Sequence, residues 1–67
     1  MTPEEHIKRI EKGVIDADIA AMADSIGELH VQWATLSEPL RADILKLEAI
    51  FLTMLQARLR HAPAAKD

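Results

Sequence analysis

Leu36-Ser37-Glu38-Pro39 interrupts a chain whose apolar residues otherwise follow a helical spacing. Ser37 is a favourable N-cap, and Glu38 suits the positive end of a helix dipole. Pro39 is tolerated only within the first turn of a helix. The stretch therefore predicts that one helix ends at about residue 35 and that a second begins at about residue 38. So short a connection makes the two helices antiparallel.

Upstream of this turn, the sequence predicts helix 1 over about residues 3–35. Thr2-Pro3-Glu4-Glu5 is typical of a helix start with a capping box. Apolar residues then repeat every three or four positions from Ile15 to Leu36. Gly13 offers a place for helix 1 to break, with Asp16 as the cap of a new helix. The alternative is one continuous helix that tolerates Gly13.

Downstream, helix 2 is predicted over about residues 38–61, because Ala62-Pro63 stops a helix. Residues 62–67 are expected to be frayed. The predicted fold is a single all-α domain, residues 1–67, built as an antiparallel helical hairpin with a possible break of its first helix near residues 13–16. The hairpin core is expected to consist of Ile19, Met22, Ile26, Leu29, Trp33, Leu40, Ile44, Leu47, Phe51 and Met54.

One neighbouring helix cannot cover all the apolar residues of helix 2, since Leu45, Leu52 and Leu59 form a second stripe. Helix 2 also ends while Ile7 and Ile10 are still unpaired, so that their segment must fold back or pack on another chain. We therefore expect dimerisation into a four-helix bundle, with a monomer that binds another protein as the alternative. The predicted dimer or partner interface comprises Ile7, Ile10, Leu45, Glu48, Leu52 and Leu59, with Arg41, Arg58 and Arg60 as rim charges.

Glu48 falls inside the apolar arc of helix 2, which leaves two interpretations open. Its carboxylate either reaches water at the rim or forms an ion pair that gives specificity to an interface.

Catalytic and metal-binding chemistry is not expected. The chain has no cysteine. His6, His30 and His61 have no ligand-type side chain three or four residues away on their own helix, which predicts rim or surface histidines. No Ser/His/Asp arrangement or Gly-rich phosphate loop is present. We expect a protein that is not an enzyme and that needs no cofactor.

The charge pattern argues against nucleic acid and membranes as partners. The net charge is −3, and the predicted hairpin gathers five of its eight Lys and Arg side chains at one end: Lys8, Arg9, Lys12, Arg58 and Arg60. Acidic side chains at the same end cancel most of that charge, whereas phosphate binding favours few acids. The most apolar run, residues 44–55, is too short for a membrane span of roughly 20 residues. A cytoplasmic location is expected.

The two helices joined at Leu36-Ser37-Glu38-Pro39 resemble, in length and layout, plasmid-encoded RNA-modulating hairpins that dimerise into four-helix bundles. The size, acidity and lone hairpin are also similar to small phage-encoded proteins that disable host regulators, such as quorum-sensing anti-activators. The second resemblance implies an inhibitor or modulator that masks a surface of a larger host or regulatory protein. A nucleic-acid modulator using the basic end and a structural subunit of a larger assembly are the alternatives.

Overall fold

The computed structural model describes residues 1–61, without the side chain of His61, and helices are the only regular secondary structure in this part of the chain. Three α-helices follow one another: α1 (Pro3–Asp16), α2 (Ile19–Val31) and α3 (Glu38–His61). A 3₁₀ turn, Trp33–Thr35, lies between α2 and α3. The predicted all-α class is confirmed. The predicted tail, residues 62–67, lies outside the described residues.

The start of α1 follows from its first four residues. The Thr2 hydroxyl accepts a hydrogen bond from the Glu5 backbone N–H at 3.2 Å, and the Glu5 carboxylate accepts one from the Thr2 N–H at 2.7 Å. This is the capping box that the sequence predicted. Pro3 occupies the first turn, where its missing N–H costs nothing. The helix is thus fixed at its N-terminus by groups that would otherwise be unpaired.

The helical structure is interrupted at Ala17 and Asp18, which are four and five residues after Gly13. Ala17 ends α1 in the left-handed conformation, with φ 56°, and Asp18 caps α2 by accepting a hydrogen bond from the Ala21 N–H. Of the two alternatives that the sequence left open, the continuous helix is wrong, and helix 1 breaks directly after the predicted region 13–16. The predicted roles of Gly13 as the helix end and Asp16 as the new cap are also wrong, since both residues lie inside α1. Gly13 instead makes room for α2: a Cβ there would lie 2.5 Å from Met22 Cγ.

After this break, α1 folds back along α2 and also contacts α3. Ile7 and Ile10 are buried in one cluster with Met22, Ile26 and Leu29, to which Leu36 and Ile44 also belong. Of the two arrangements that the sequence left open for the first segment, folding back is the one observed. Ile7 and Ile10 therefore belong to the interior of the protomer, and their predicted place in a dimer or partner interface is wrong.

The predicted hairpin core divides into two groups. Met22, Ile26, Leu29 and Ile44 are buried. The other six are half-buried, and the list is Ile19, Trp33, Leu40, Leu47, Phe51 and Met54. The packed centre of the protein therefore lies between α1, α2 and the first half of α3, and not along the whole length of a two-helix hairpin.

α3 is much longer than its neighbours. It has 24 residues against 13 in α2 and 14 in α1, which makes it about 36 Å long against about 20 Å for each of them. The molecule measures 45 × 20 × 16 Å. All five side chains at positions 56–60 are exposed. The last turns of α3 thus extend past the part of the helix that packs on the core.

Candidate protein-interaction surface

The side of α3 that faces away from the core carries three exposed leucines. Leu45, Leu52 and Leu59 are 54%, 49% and 67% exposed. They are seven residues apart, so they lie in one line along the helix. Isolated exposed apolar residues are common on protein surfaces, but a continuous row of them is characteristic of an interaction site.

Two alanines and a glutamine complete this row. Exposed positions on the outward side recur at alternating steps of three and four residues, and we call them the outer seam: Ala42, Leu45, Ala49, Leu52, Gln56 and Leu59. Such spacing is the heptad pattern by which one helix packs along another. The leucines were predicted from the sequence, whereas Ala42, Ala49 and Gln56 were not. The same 3-4 spacing rule, applied to the outward side, would have found them.

Glu48 lies at the edge of the outer seam and is half-buried. Its Oε2 atom is 3.2 Å from Nε2 of His30 on α2. The carboxylate is therefore engaged within the protomer, at a pair of side chains that remains partly open to water. An exposed pair of this kind contributes little stability, about 0.2–1 kcal/mol. Its effect is to hold the side chain of Glu48 beside the seam.

Of the predicted rim charges, Arg41 has a structural role. Its guanidinium donates to the backbone carbonyls of Trp33 and Ala34, at 3.1 and 3.2 Å, and its Cζ lies 5.9 Å from the Trp33 ring centroid. It thereby fastens the first turn of α3 to the 3₁₀ turn, where the Trp33 carbonyl also accepts a hydrogen bond from the Leu36 N–H at 3.1 Å. Arg58 and Arg60 are exposed on the last turns of α3. Arg60 lies beside the outer seam, four residues after Gln56, whereas Arg58 lies on the side of α3 that carries Phe51 and Met54.

An aromatic stack that the sequence analysis missed lies next to this arginine. The rings of His30 and Trp33 are 5.0 Å apart between centroids, and their planes differ by 10°. Residues three apart are neighbours on a helical surface, so the spacing itself was a signal for the contact. Together with the hydrogen bond to Glu48, the stack ties the end of α2 to α3.

His6 is buried, which makes its predicted place at the rim or surface wrong. Its Nδ1 atom is 3.3 Å from the hydroxyl of Ser25, which is fully buried on α2. A buried polar group needs such a partner, because leaving it unpaired is costly. Arg9 reaches the same hydroxyl at 3.5 Å and forms an ion pair with Asp24 at 2.6 Å. These contacts fasten α1 to α2.

Two of the cations predicted to form a basic end, Arg9 and Lys12, lie among acidic side chains. A shallow cavity of about 290 Å³ lies where α1 turns into α2, and its lining includes Arg9 and Lys12 together with Asp16 and Asp18. Arg9 is also paired with Asp24. A surface of mixed sign gives little attraction to phosphate groups, which bind where positive charge dominates.

Within residues 1–61, no group of three or more His, Cys, Asp or Glu side chains is arranged to hold a metal ion. No helix in the same range has the length and apolar character needed to cross a membrane. The sequence matches no protein-family model, and neither curated proteins nor solved structures give a match.

Proposed function

We propose that this chain is a small protein-interaction module that binds through the outer seam of α3. In this proposal α2 and α3 are the arms of the interacting hairpin, and α1 braces them from the other side. The chain acts as an inhibitor or modulator: a helix of a larger regulatory protein packs along the seam, and the bound module masks that surface. The observation that carries the proposal is the row of exposed leucines, Leu45, Leu52 and Leu59.

The shape of the seam suits a helical partner. It runs from Ala42 to Leu59, about 26 Å along the helix axis. An amphipathic helix docks with anchors three and four residues apart, which is the spacing of the seam. Ala42 and Ala49 have short side chains, so a partner's backbone can approach α3 closely at these positions.

The free energy gained by burying the leucines determines how much other contacts with the partner must contribute. Completing the burial of three half-exposed leucines contributes roughly 2–5 kcal/mol. Association itself costs about 4–15 kcal/mol in lost freedom of motion. The leucines alone are therefore not enough, and a partner must also match the small residues and the flanking charges of the seam. Arg60 is exposed beside it and can supply such a rim contact.

The test compares two substitutions on the same helix. Leu52→Glu places a charge at the centre of the seam. Ile50→Glu is the matched control, because Ile50 is 41% exposed, close to the 49% of Leu52, but points to a different side of α3. Tagged wild-type protein and both variants are used to capture proteins from lysate of the source organism, with and without nuclease treatment, and the captured proteins are quantified by mass spectrometry.

The proposal predicts a protein that the wild type and Ile50→Glu retain and that Leu52→Glu loses by at least tenfold. Purified target must then reproduce the same order of affinities. Equal capture by all three proteins contradicts the proposal, and so does capture that disappears for all three after nuclease treatment. The latter result points instead to a nucleic-acid partner.

A further inference from the structure

We propose that the partner of the outer seam in the free protein is a second copy of this chain, with the two α3 helices antiparallel. This inference rests on the proposed function, since it names an occupant for the same surface. The two-fold axis would cross α3 between Ile50 and Phe51. At that position the seam is complementary to itself, which is the condition for a closed symmetric dimer.

Complementarity arises from the order of large and small residues. About this axis, Ala49 lies opposite the partner's Leu52, and Ala42 lies opposite the partner's Leu59. Every leucine side chain at these levels meets an alanine, so each large residue fills the space above a small one. Leu45 in turn lies opposite the partner's Gln56, which is long enough for its aliphatic part to cover the leucine while its amide reaches water.

The parallel arrangement fits the same residues less well. Each residue then meets its own copy, so Leu52 lies opposite the partner's Leu52 and Ala49 opposite the partner's Ala49. Leucine layers would hold the helices apart while alanine layers left gaps, and gaps in a packed interface are costly. Two copies of Gln56 would also share one layer. The alternation of sizes therefore favours the antiparallel register.

The charges of α3 favour the same direction. Residues 38–48 contain Glu38, Asp43 and Glu48 against Arg41 and Lys46, a net charge of −1. Residues 49–60 contain only Arg58 and Arg60 as charged residues, a net charge of +2. Antiparallel helices place the positive half of each copy along the negative half of the other, whereas parallel helices place the two positive halves together. Antiparallel helix dipoles add to this preference.

The size of the outer seam determines the expected affinity of the dimer. A strip about 26 Å long on a helix about 10 Å across lies at the small end of specific interfaces, which bury at least about 1,000 Å² in total. We therefore expect a dimer in the micromolar range. Sedimentation of the wild type at rising concentration should show a reversible increase of the average mass from one chain towards two.

The absence of cysteine from the sequence makes the register directly testable. Ala42→Cys and Leu59→Cys are prepared as separate proteins and treated, alone and mixed, with a short thiol-to-thiol crosslinker. In the antiparallel dimer, positions 42 and 59 of different copies are adjacent, whereas two copies of position 42 are about 26 Å apart. Ala57→Cys, at an exposed position off the seam, measures crosslinking by random collision.

The proposal predicts a crosslinked dimer in the mixture of Ala42→Cys and Leu59→Cys, at least fivefold above the Ala57→Cys background, and background levels for each alone. Crosslinking of Ala42→Cys with itself, at the level of the mixture, overturns the antiparallel register. Wild-type protein that stays monomeric at several hundred micromolar overturns the second copy as the partner. Neither result affects the contrast between Leu52→Glu and Ile50→Glu in target capture, so failure of this inference and failure of the proposed function are distinguishable.

Discussion

The imidazole of His30 lies flat against the indole of Trp33, with 5.0 Å between ring centroids and 10° between ring planes. Trp33 is the only tryptophan, and the chain has no tyrosine, so the intrinsic fluorescence reports on the surroundings of this indole. His30 also bonds to Glu48 of α3. One side chain thus joins the end of α2 both to the 3₁₀ turn and to the edge of the outer seam.

Removing this stack should destabilise the protein and expose the indole. We expect His30→Ala to lower the free energy of unfolding by about 0.5–1.5 kcal/mol and to shift Trp33 emission to longer wavelength. His30→Phe is the control, because it keeps an aromatic ring but loses the bond to Glu48. If both variants shift the emission equally, the hydrogen bond and not the stack positions Trp33. Urea unfolding followed by fluorescence measures both quantities.

The two glycines should respond to alanine in opposite directions. A Cβ at Gly13 would lie 2.5 Å from Met22 Cγ and 3.2 Å from the Asp18 carbonyl oxygen, and Met22 is fully buried. Overpacking costs about 1–3 kcal/mol and exceeds the gain in helix propensity of about 1 kcal/mol, so Gly13→Ala should lower stability by roughly 1 kcal/mol.

Gly27→Ala is the matched control, because no heavy atom of the described residues lies within 4 Å of a Cβ placed there, apart from the helix's own nearby backbone. It should raise stability by about 1 kcal/mol. The denaturant concentrations at which the two variants and the wild type are half unfolded test both predictions. A stabilising Gly13→Ala would show that the turn between α1 and α2 is looser than this contact requires.

These two glycines also show which parts of the fold the sequence could predict. Residue types at Thr2-Pro3 and Ser37-Glu38-Pro39 indicate helix starts, because capping depends on local side chains. Gly13 offered a possible helix end, since glycine is the usual residue for a left-handed helix end, yet the left-handed residue is Ala17. Gly13 is required for close approach of α2, which depends on tertiary packing and has no local signal.

At the interaction surface, too, local spacing predicted some features, whereas others depended on tertiary packing. Periodicity predicted that Leu45, Leu52 and Leu59 lie off the core, because their position on the helix wheel follows from spacing alone. The burial of Ile7 and Ile10 followed from how α1 folds back, which the sequence left open between two arrangements. Spacing carried signals that were overlooked for Ala42 and Ala49 and for the stack of His30 on Trp33.

Glu5 should make the stability of α1 depend on pH. The backbone N–H of Thr2 donates to its carboxylate at 2.7 Å, and this bond lowers the pKa of Glu5 from its ordinary value of 4.5. When the pKa of a carboxyl group is lower in the folded state than in the unfolded state, its ionised form stabilises the fold at pH values above the unfolded-state pKa. This stabilisation is lost as the pH falls through the lowered pKa of the folded protein.

Glu5→Gln keeps an acceptor at the same place but does not titrate. We therefore expect the advantage of the wild type over Glu5→Gln to be constant near neutral pH and to shrink as the pH falls below 4.5. Urea unfolding of both proteins at neutral pH and at about pH 3 measures the change. An advantage that is the same at both values would mean that Glu5 keeps its ordinary pKa in the folded protein.

The buried pair of His6 and Ser25 should show strong coupling between α1 and α2. Their contact is 3.3 Å long, Ser25 is fully buried, and the only other polar side chain near its hydroxyl among the described residues is Arg9, at 3.5 Å. Ser25→Ala leaves the imidazole without this partner, and His6→Leu leaves the hydroxyl with only the weak contact to Arg9. Each single substitution should cost about 1–3 kcal/mol.

Replacing both partners should cost less than the sum of the single substitutions, since neither polar group is then left unpaired in the interior. We expect a coupling free energy of about 0.5–2 kcal/mol from urea unfolding of the wild type, both single variants and the double variant. Additive effects, within about 0.3 kcal/mol, would mean that the two groups act independently. In that case α1 is held against α2 by apolar packing of Ile7 and Ile10 alone, and the polar pair contributes no specificity to the fold-back.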